Sequence, residues 1–371
     1  MTRDTAAGIA TPLAGLRSLN RMTNRMTNRV ASRVASCVAS GPASRIAAVG
    51  AVWLTVTVAT GCDKAKAISL VSTSPTAEVA PREELDLSKH PTILFEVFGE
   101  RANPQMVPIG VLEGGKLRAI QLSTAGWKNF DRIYHHPGTT YNLYQDGRAV
   151  GTTTVKQGMW SKPDAPLYSL PNCQSLIPLA AVSLDSRVPA GITVEFLATS
   201  AALTHPAAAS SLTPSAVASL SREIGMQLAE TSHIPRARLD SLDFHAQAMT
   251  TGATPNPTLV VSYVDPNGEE AAAHGDETSY LFAIADKAGG AYTPSYARVV
   301  NGSGAHAEYR RFVDHLDLHG DGVDEIILEG WQNGGDTYLA VMRYKAGHWQ
   351  EVFRGATSWC LDPKRGGTLD P

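Results

Sequence analysis

The chain has 371 residues, 43% hydrophobic and 18% charged, with a formal net charge of −3; this is ordinary globular composition, with length for one large or two medium domains. Gly 32 and Pro 22 favour many turns, and so β structure over a helical bundle. The charge is uneven: residues 1–62 hold seven arginines, no lysine and one acid, Asp4, which leaves 25 basic against 34 acidic residues in 63–371 and argues against a nucleic-acid partner.

Residues 1–62 read as an export segment. Positions 21–40 repeat every four residues (RMTN, RMTN, RVAS, RVAS, CVAS), a low-complexity stretch with no apolar face to bury. A start at Met22 or Met26 would leave a leader of more usual length. Ile46 to Thr60 follows, fifteen residues without a charge, after Arg29, Arg33 and Arg45. A membrane-spanning helix needs about 20 apolar residues, so this run has the length of a signal-peptide core. It ends Val58-Ala59-Thr60-Gly61-Cys62. That ending resembles the lipobox of bacterial lipoproteins, in which small residues and Gly precede the cysteine that becomes the lipidated N-terminus. Ala59 stands where Leu is commonest in that family. The resemblance implies cleavage before Cys62, a lipid anchor on its thiol and an extracytoplasmic body at the periplasm or cell surface. Several acyl chains make such an anchor stable where one is marginal.

Residues 63–90 are polar and Pro-containing and predict a tether. Residues 91–200 predict a β domain. Ile93–Phe98 is a short apolar strand; Val107–Leu112 and Leu117–Leu122 flank Glu113-Gly114-Gly115-Lys116 as a hairpin. Tyr141–Gln145 and Arg148–Val155 flank Asp146-Gly147, a pair suited to a type I′ turn. Ile192–Ala198 closes the region, and Trp127, Phe130, Tyr134, Tyr141, Tyr144 and Trp160 are read as core and cross-strand packing. Residues 201–236 hold a linker and one helix. Thr213 and Pro214 suit its start, and Val217, Leu220, Ile224 and Leu228 form one apolar stripe to near Ser232.

Residues 237–371 return to β. Strands are predicted at Thr258–Tyr263, Tyr280–Ala285, Tyr296–Val300, Ile326–Leu328, Thr337–Tyr344 and Trp349–Phe353, with turns at Pro266-Asn267-Gly268, Gly289-Gly290, Asn301-Gly302, Asn333-Gly334-Gly335 and Ala346-Gly347. The fold class is therefore mainly β: two β-rich regions, as meander, sandwich or partial propeller-like blades, joined by a linker and one amphipathic helix. Cys173 and Cys360 are the cysteines left after Cys37 and Cys62, and in an exported chain they are a candidate disulfide tying the two halves together.

Residues 317–325 read Asp317-Leu318-His319-Gly320-Asp321-Gly322-Val323-Asp324-Glu325. Side-chain ligands at alternate positions, with Gly sixth, let a backbone turn around a hard cation such as Ca²⁺. An EF-hand would need Glu at the twelfth place, which is Leu328, and helical flanks, where strands are predicted. The pattern resembles the Asp-rich loop of FG-GAP or VCBS repeats, over roughly 311–354. Carried across, that resemblance implies one structural Ca²⁺ held by Asp317, His319, Asp321, the Val323 carbonyl and Glu325. His319 departs from the family's Asp or Asn, and imidazole is a poor ligand for a hard cation. A tight acidic turn that binds nothing is the other reading, and zinc on His315, His319 and Asp317 is a third.

No G-x-S-x-G, H-E-x-x-H, P-loop or G-x-G-x-x-G is present. Gly302-Ser303-Gly304 with His306 is a weak imitation of a nucleophile site, and His135-His136-Pro137-Gly138 is a candidate metal pair or a turn. The expectation is a binding or structural protein at a membrane, contacting a protein or a glycan. An extracytoplasmic hydrolase with dispersed residues and an envelope-assembly scaffold are the alternatives.

Overall fold

The computed structural model describes residues 84–158, 175–176, 179–188, 191–203, 210–267, 277–304, 307–332, 337–356 and 360–361. Residues 1–62, expected to be an export segment, lie outside these residues with Cys62, and so do Cys173 and Trp160.

The first β region is built from β1 (Thr92–Glu100), β2 (Asn103–Glu113), β3 (Lys116–Arg118), β4 (Thr140–Gln145), β5 (Arg148–Gly158), β7 (Ala180–Leu184) and β8 (Thr193–Thr199), with the two-residue β6 (Ser175–Leu176) outside the main sheet. Its pairings run β1-β8-β4-β5-β7-β2, and β1 also pairs with β2 along its whole length. The sheet therefore closes into a six-stranded antiparallel barrel, with β3 hung on the far edge of β2. Closure gives each of the six barrel strands a partner on both sides, which the end strands of a meander or sandwich lack. Alternation along each strand divides the side chains between two cores. Ile93, Phe95, Val97, Tyr141, Leu143, Phe196 and Ala198 face the barrel interior. Leu94, Val107, Ile109, Tyr144 and Leu197 face outward into a second core.

The hairpins form where the turn chemistry allows. Gly114 and Gly115 both take positive φ between β2 and β3; Asp146 (φ 51°) and Gly147 (φ 70°) do so between β4 and β5, as a type I′ turn requires. One element was read otherwise. Trp127, Phe130 and Tyr134 lie on a helix, α1 (Thr124–Tyr134), not on strands. Their spacing of three and four puts them on one face, which enters the barrel core. Ser123 caps the helix by accepting from Gly126, and Glu84 in turn accepts from the Ser123 N–H and hydroxyl. The tether expected over 63–90 therefore ends by residue 84: Leu85 N–H donates to the Gln121 carbonyl, and Leu87, on a short 3₁₀ turn, is buried in the same core.

The linker helix forms as expected. α2 (Pro214–Thr231) is capped by Thr213, whose hydroxyl accepts from Ala216, and ends at Ser232. A one-turn helix, α3 (Arg236–Asp240), leads into the second β region. This region forms two four-stranded antiparallel meanders. One holds β9 (Asp243–Met249), β10 (Thr258–Val264), β11 (Glu277–Ala288) and β12 (Ala291–Ser303). The other holds β13 (Glu308–Leu316), β14 (Glu325–Gln332), β15 (Thr337–Lys345) and β16 (His348–Ala356). Strand β9 was not expected from the sequence, β13 was expected only as the strand flank of loop 317–325, and Asn301-Gly302 lies within β12, paired to β11, instead of forming a turn. The short β17 (Cys360–Leu361) pairs with β6, with Cys360 opposite Leu176.

The layers stack in a fixed order. The outward barrel residues share a core with Leu316, Ile327, Leu339, Val341 and Phe353 of the β13–β16 sheet. The opposite face of that sheet, with Ile326, Leu328, Ala340, Met342 and Trp349, packs on Val260, Tyr280, Phe282 and Ile284 of the β9–β12 sheet. The outer face of the latter, with Leu259, Val261, Leu281 and Ala283, is covered by Val217, Ile224 and Ala229 of α2. The two β regions thus share a core and belong to one compact unit, Glu84–Pro371.

Phe282 is fully buried between the two meanders. Phe282→Ala should cost about 3–5 kcal/mol by the loss of a buried aromatic and the cavity left behind. Ile192, at 76% exposure, should cost under about 0.5 kcal/mol as Ala. Urea unfolding of the two variants checks the contrast.

Candidate functional site

Loop 317–325 joins β13 to β14 at the meeting point of all three sheets. The Asp324 N–H donates to the Thr251 carbonyl at 2.7 Å, between β9 and β10. A Cβ on Gly252 would stand 2.4 Å from the Gly322 carbonyl oxygen, and one on Gly115, in the barrel's β2–β3 turn, 3.1 Å from the His319 carbonyl oxygen. Both glycines also carry positive φ, so glycine at each lets another backbone pass close by. The barrel's other nearby turn is tied in too: Gly147 N–H donates to Asp314 Oδ1 at 3.0 Å. Burial pushes the Asp314 carboxyl up to about 6.

Each residue of the set expected to hold calcium has a definite place. Asp317 is buried and organises the turn: Oδ1 accepts from Gly320 (2.6 Å) and Asp321 (3.1 Å), and Oδ2 from Gly322 (2.8 Å). Asp321 is exposed; its Oδ1 accepts from the Val323 N–H at 3.2 Å, and its Oδ2 from Arg343 Nη2 at 2.5 Å. Val323 is half-buried at the edge of the turn. Glu325 has no exposed surface; its Oε2 accepts from Leu318 N–H at 3.0 Å, while its Oε1 lies 3.5 Å from Arg343 Nε. His319 Nδ1 is 2.7 Å from that Oε1, yet neither atom meets hydrogen-bond geometry with any partner. Burial pushes the Glu325 carboxyl up to about 8 and the His319 imidazole down.

The sequence pattern did not point to Arg343, which sits on β15 and outside the loop. In this arrangement the carboxylates at the fifth and ninth places face its guanidinium, and the first is taken up by backbone N–H groups. The donors fit the guanidinium; a calcium ion on the expected set would have to displace it. Among the described residues, no three His, Cys, Asp or Glu side chains are grouped to hold a metal. The zinc set does not come together either: His315 Nδ1 turns to Asp324 Oδ2 at 2.6 Å, and His319 turns to Glu325.

A second feature lies on the outer side of α1. A groove of about 490 Å³ is lined by Lys128, Asn129, Asp131, Arg132, His135 and His136 among others. His135 is fully buried at its wall, with Nδ1 2.9 Å from Asp131 Oδ1 and the ring edge-on to Phe130. Its Nε2 has no hydrogen-bond partner. The sequence reading singled out His135 and His136 and missed Asp131. The i, i+4 relation of Asp131 to His135 becomes visible only once α1 is recognised. The weak Ser303 and His306 imitation does not assemble among the described residues: Ser303 ends β12, and His306 lies outside them.

A third cluster crosses from the barrel to the β13–β16 sheet. Arg311 donates from Nη1 to Glu195 Oε2 at 2.7 Å, and also reaches Glu195 Oε1 and Glu329. Glu96 lies beside them, buried. Burial, with the Glu195 and Glu329 charges adding to it and Arg311 opposing, pushes the Glu96 carboxyl up to about 8. Burial raises Glu329 as well. This last cluster is made of side chains far apart in the sequence, and no local motif announces it.

Two predictions follow from these geometries. Asp317→Ala removes a charged acceptor from three backbone N–H groups, and the loop's partial exposure lets water replace some of the bonds. The loss should be about 1–3 kcal/mol, with Asp317→Asn costing less. Glu96 binds its proton more tightly folded (about 8) than unfolded (about 4.3). Its contribution is present at acid pH and is lost as pH rises through about 8, with a slope of at most about 1.4 kcal/mol per pH unit. Glu96→Gln should flatten the fall in stability between about pH 5 and 8 by one proton's worth. Urea unfolding across that range checks it, and identical slopes for the two proteins would refute the assignment.

Comparison of the chain with family models, with curated proteins and with solved structures finds no match.

Proposed function

We propose that this chain is an exported lipoprotein, cut before Cys62 and held by lipid to the extracytoplasmic side of a bacterial membrane, whose β body is a binding or structural protein. The observation that carries the address is the uncharged run Ile46–Thr60, preceded by arginines and ending Ala59-Thr60-Gly61-Cys62. Among the described residues no helix is long and apolar enough to cross a membrane. An anchor at Cys62 would hold the body there without one.

The binding or structural role is supported by where the body places its buried and half-buried charge. Arg311 with Glu195 and Glu329 ties the barrel to the β13–β16 sheet. Asp286 accepts from Trp349 Nε1 (2.8 Å), Thr258 (2.7 Å) and Ser295 (2.6 Å), and so ties that sheet to β9–β12. These are joints of a rigid frame, suited to presenting a surface to a protein or glycan partner or to an envelope assembly. Calcium at loop 317–325 stays a proposal that competes with Arg343, and the role proposed here does not depend on it. A Cys173–Cys360 disulfide is likewise a proposal.

One observation favours an extracytoplasmic hydrolase instead. The Asp131–His135 pair, with His135 Nε2 left without a partner at the wall of a groove, has the base-and-orienter arrangement of general-base catalysis.

Metabolic labelling with palmitate tests the address. The wild-type chain should incorporate label and fractionate with membranes, and Cys62→Ala should do neither. Retention of Cys62→Ala in the membrane fraction would indicate an uncleaved signal anchor instead.

A further inference from the structure

We propose that Arg343 is the resident cation of loop 317–325, bridging Asp321 and Glu325 in the place where a loop of this spacing holds a divalent metal. The inference stands apart from the anchor and the binding role proposed above.

Loop 317–325 carries Asp317, Asp321 and Glu325 within nine residues, and each carboxyl needs donors or positive charge to meet it. Asp317 is met by the backbone: its two oxygens accept three N–H groups of its own turn. Among the described residues, Asp321 and Glu325 each receive one backbone N–H, from Val323 and Leu318. The oxygen that each has left points at the same guanidinium. Asp321 Oδ2 takes Arg343 Nη2 at 2.5 Å, and Glu325 Oε1 lies 3.5 Å from Arg343 Nε. That Oε1 is buried and without a hydrogen bond; His319 Nδ1 stands 2.7 Å from it, and the guanidinium at 3.5 Å is the permanently charged group beside it.

One positive group bridging the fifth and ninth places does the work of a metal ion there. A planar fork with several donors suits two carboxylates better than a point charge on a flexible stem would. Arg343 is also held from outside the loop. Its neighbour Met342 pairs with Ile326, the residue after Glu325, so the β14–β15 ladder sets the guanidinium beside the loop whether or not the turn is ordered. Arg343 is 23% exposed, and water fills only part of its place if it is removed. A substitution there should therefore leave Asp321 without its ion-pair partner and Glu325 without the guanidinium beside it, a place that Ca²⁺ can take.

The test is thermal unfolding of the purified full-length chain and of Arg343→Met and Arg343→Lys, each in EDTA and in millimolar Ca²⁺. The wild-type midpoint should not move between the two buffers. Arg343→Met should melt lower in EDTA, by about 3–6 °C, and should recover in Ca²⁺. Arg343→Lys should keep most of the wild-type midpoint in EDTA. A wild-type midpoint that rises in Ca²⁺ would overturn the proposal, because the loop would then hold a metal with Arg343 present. So would an Arg343→Met loss that neither Ca²⁺ nor the lysine variant restores, which would assign the residue to packing alone. If Arg343→Met does not fold, calorimetric titration of the wild-type chain with Ca²⁺ decides: binding heat refutes the proposal, and its absence together with a folded Arg343→Lys supports it.

Discussion

Everything in this unit is arranged around one sheet that has no face for water. Ile326, Ile327 and Leu328 are consecutive on β14 and all fully buried, as are Leu339, Ala340, Val341 and Met342 on β15. In a strand, successive side chains point to opposite faces, so a continuous apolar run can be satisfied only by cover on both sides. The barrel supplies one cover and the β9–β12 meander the other. That second meander then has its own outer face, with Leu259, Val261 and Leu281, and needs the stripe of α2. At the other end the barrel needs α1 to fill its interior. The order of the layers is the consequence of burying one doubly apolar sheet and then burying whatever that leaves exposed.

Hydrophobic burial has no direction, so the angular position of each layer must come from polar contacts. Three kinds are found at the interfaces. Arg311 pairs with glutamates of the barrel and of its own sheet; Asp286 gathers three donors across the two meanders; backbone N–H groups of Gly147 and Asp324 reach Asp314 and the Thr251 carbonyl. Buried ion pairs of this kind add little net stability over apolar packing, since desolvation offsets most of their attraction. Their cost falls on misplacement: a layer slid by one residue leaves a half-buried charge without its partner. The raised carboxyls of Glu96 and Glu329 follow from the same geometry: burial comes first, and the Glu195 charge beside both adds to it.

Loop 317–325 sits where these constraints meet. It packs between the β2–β3 turn and the segment between β9 and β10, with glycine at both close approaches. A loop so enclosed must hold one shape, and its carboxylates supply the acceptors that hold it. Asp317 does this with the loop's own N–H groups. Asp321 and Glu325 use a side chain from the neighbouring strand. Asp324 turns away to His315, so of two adjacent acids one belongs to the loop's inner surface and the other to the core beneath.

The sequence by itself determined what depends on neighbours in the chain. The β character, both glycine-bearing hairpins of the barrel, the N-cap of α2 at Thr213 and the acidic turn at 317–325 are legible there, because turn chemistry and side-chain alternation act within a few residues. Helix α1 was concealed because Trp127, Phe130 and Tyr134 suit strands and helices alike, and only the barrel's open interior selects the helix. The extent of strand β13, expected only as a flank of the acidic loop, was concealed by Arg310 and Arg311, charged residues that read as surface until their glutamates are brought from β8, β14 and β16. Tertiary structure alone decided that the first region closes into a barrel, that the two β regions share a core, and that Arg343 stands against Asp321 and Glu325. Each of these joins residues distant in sequence, and such pairings are fixed by which apolar faces must cover one another, a quantity that no single segment contains.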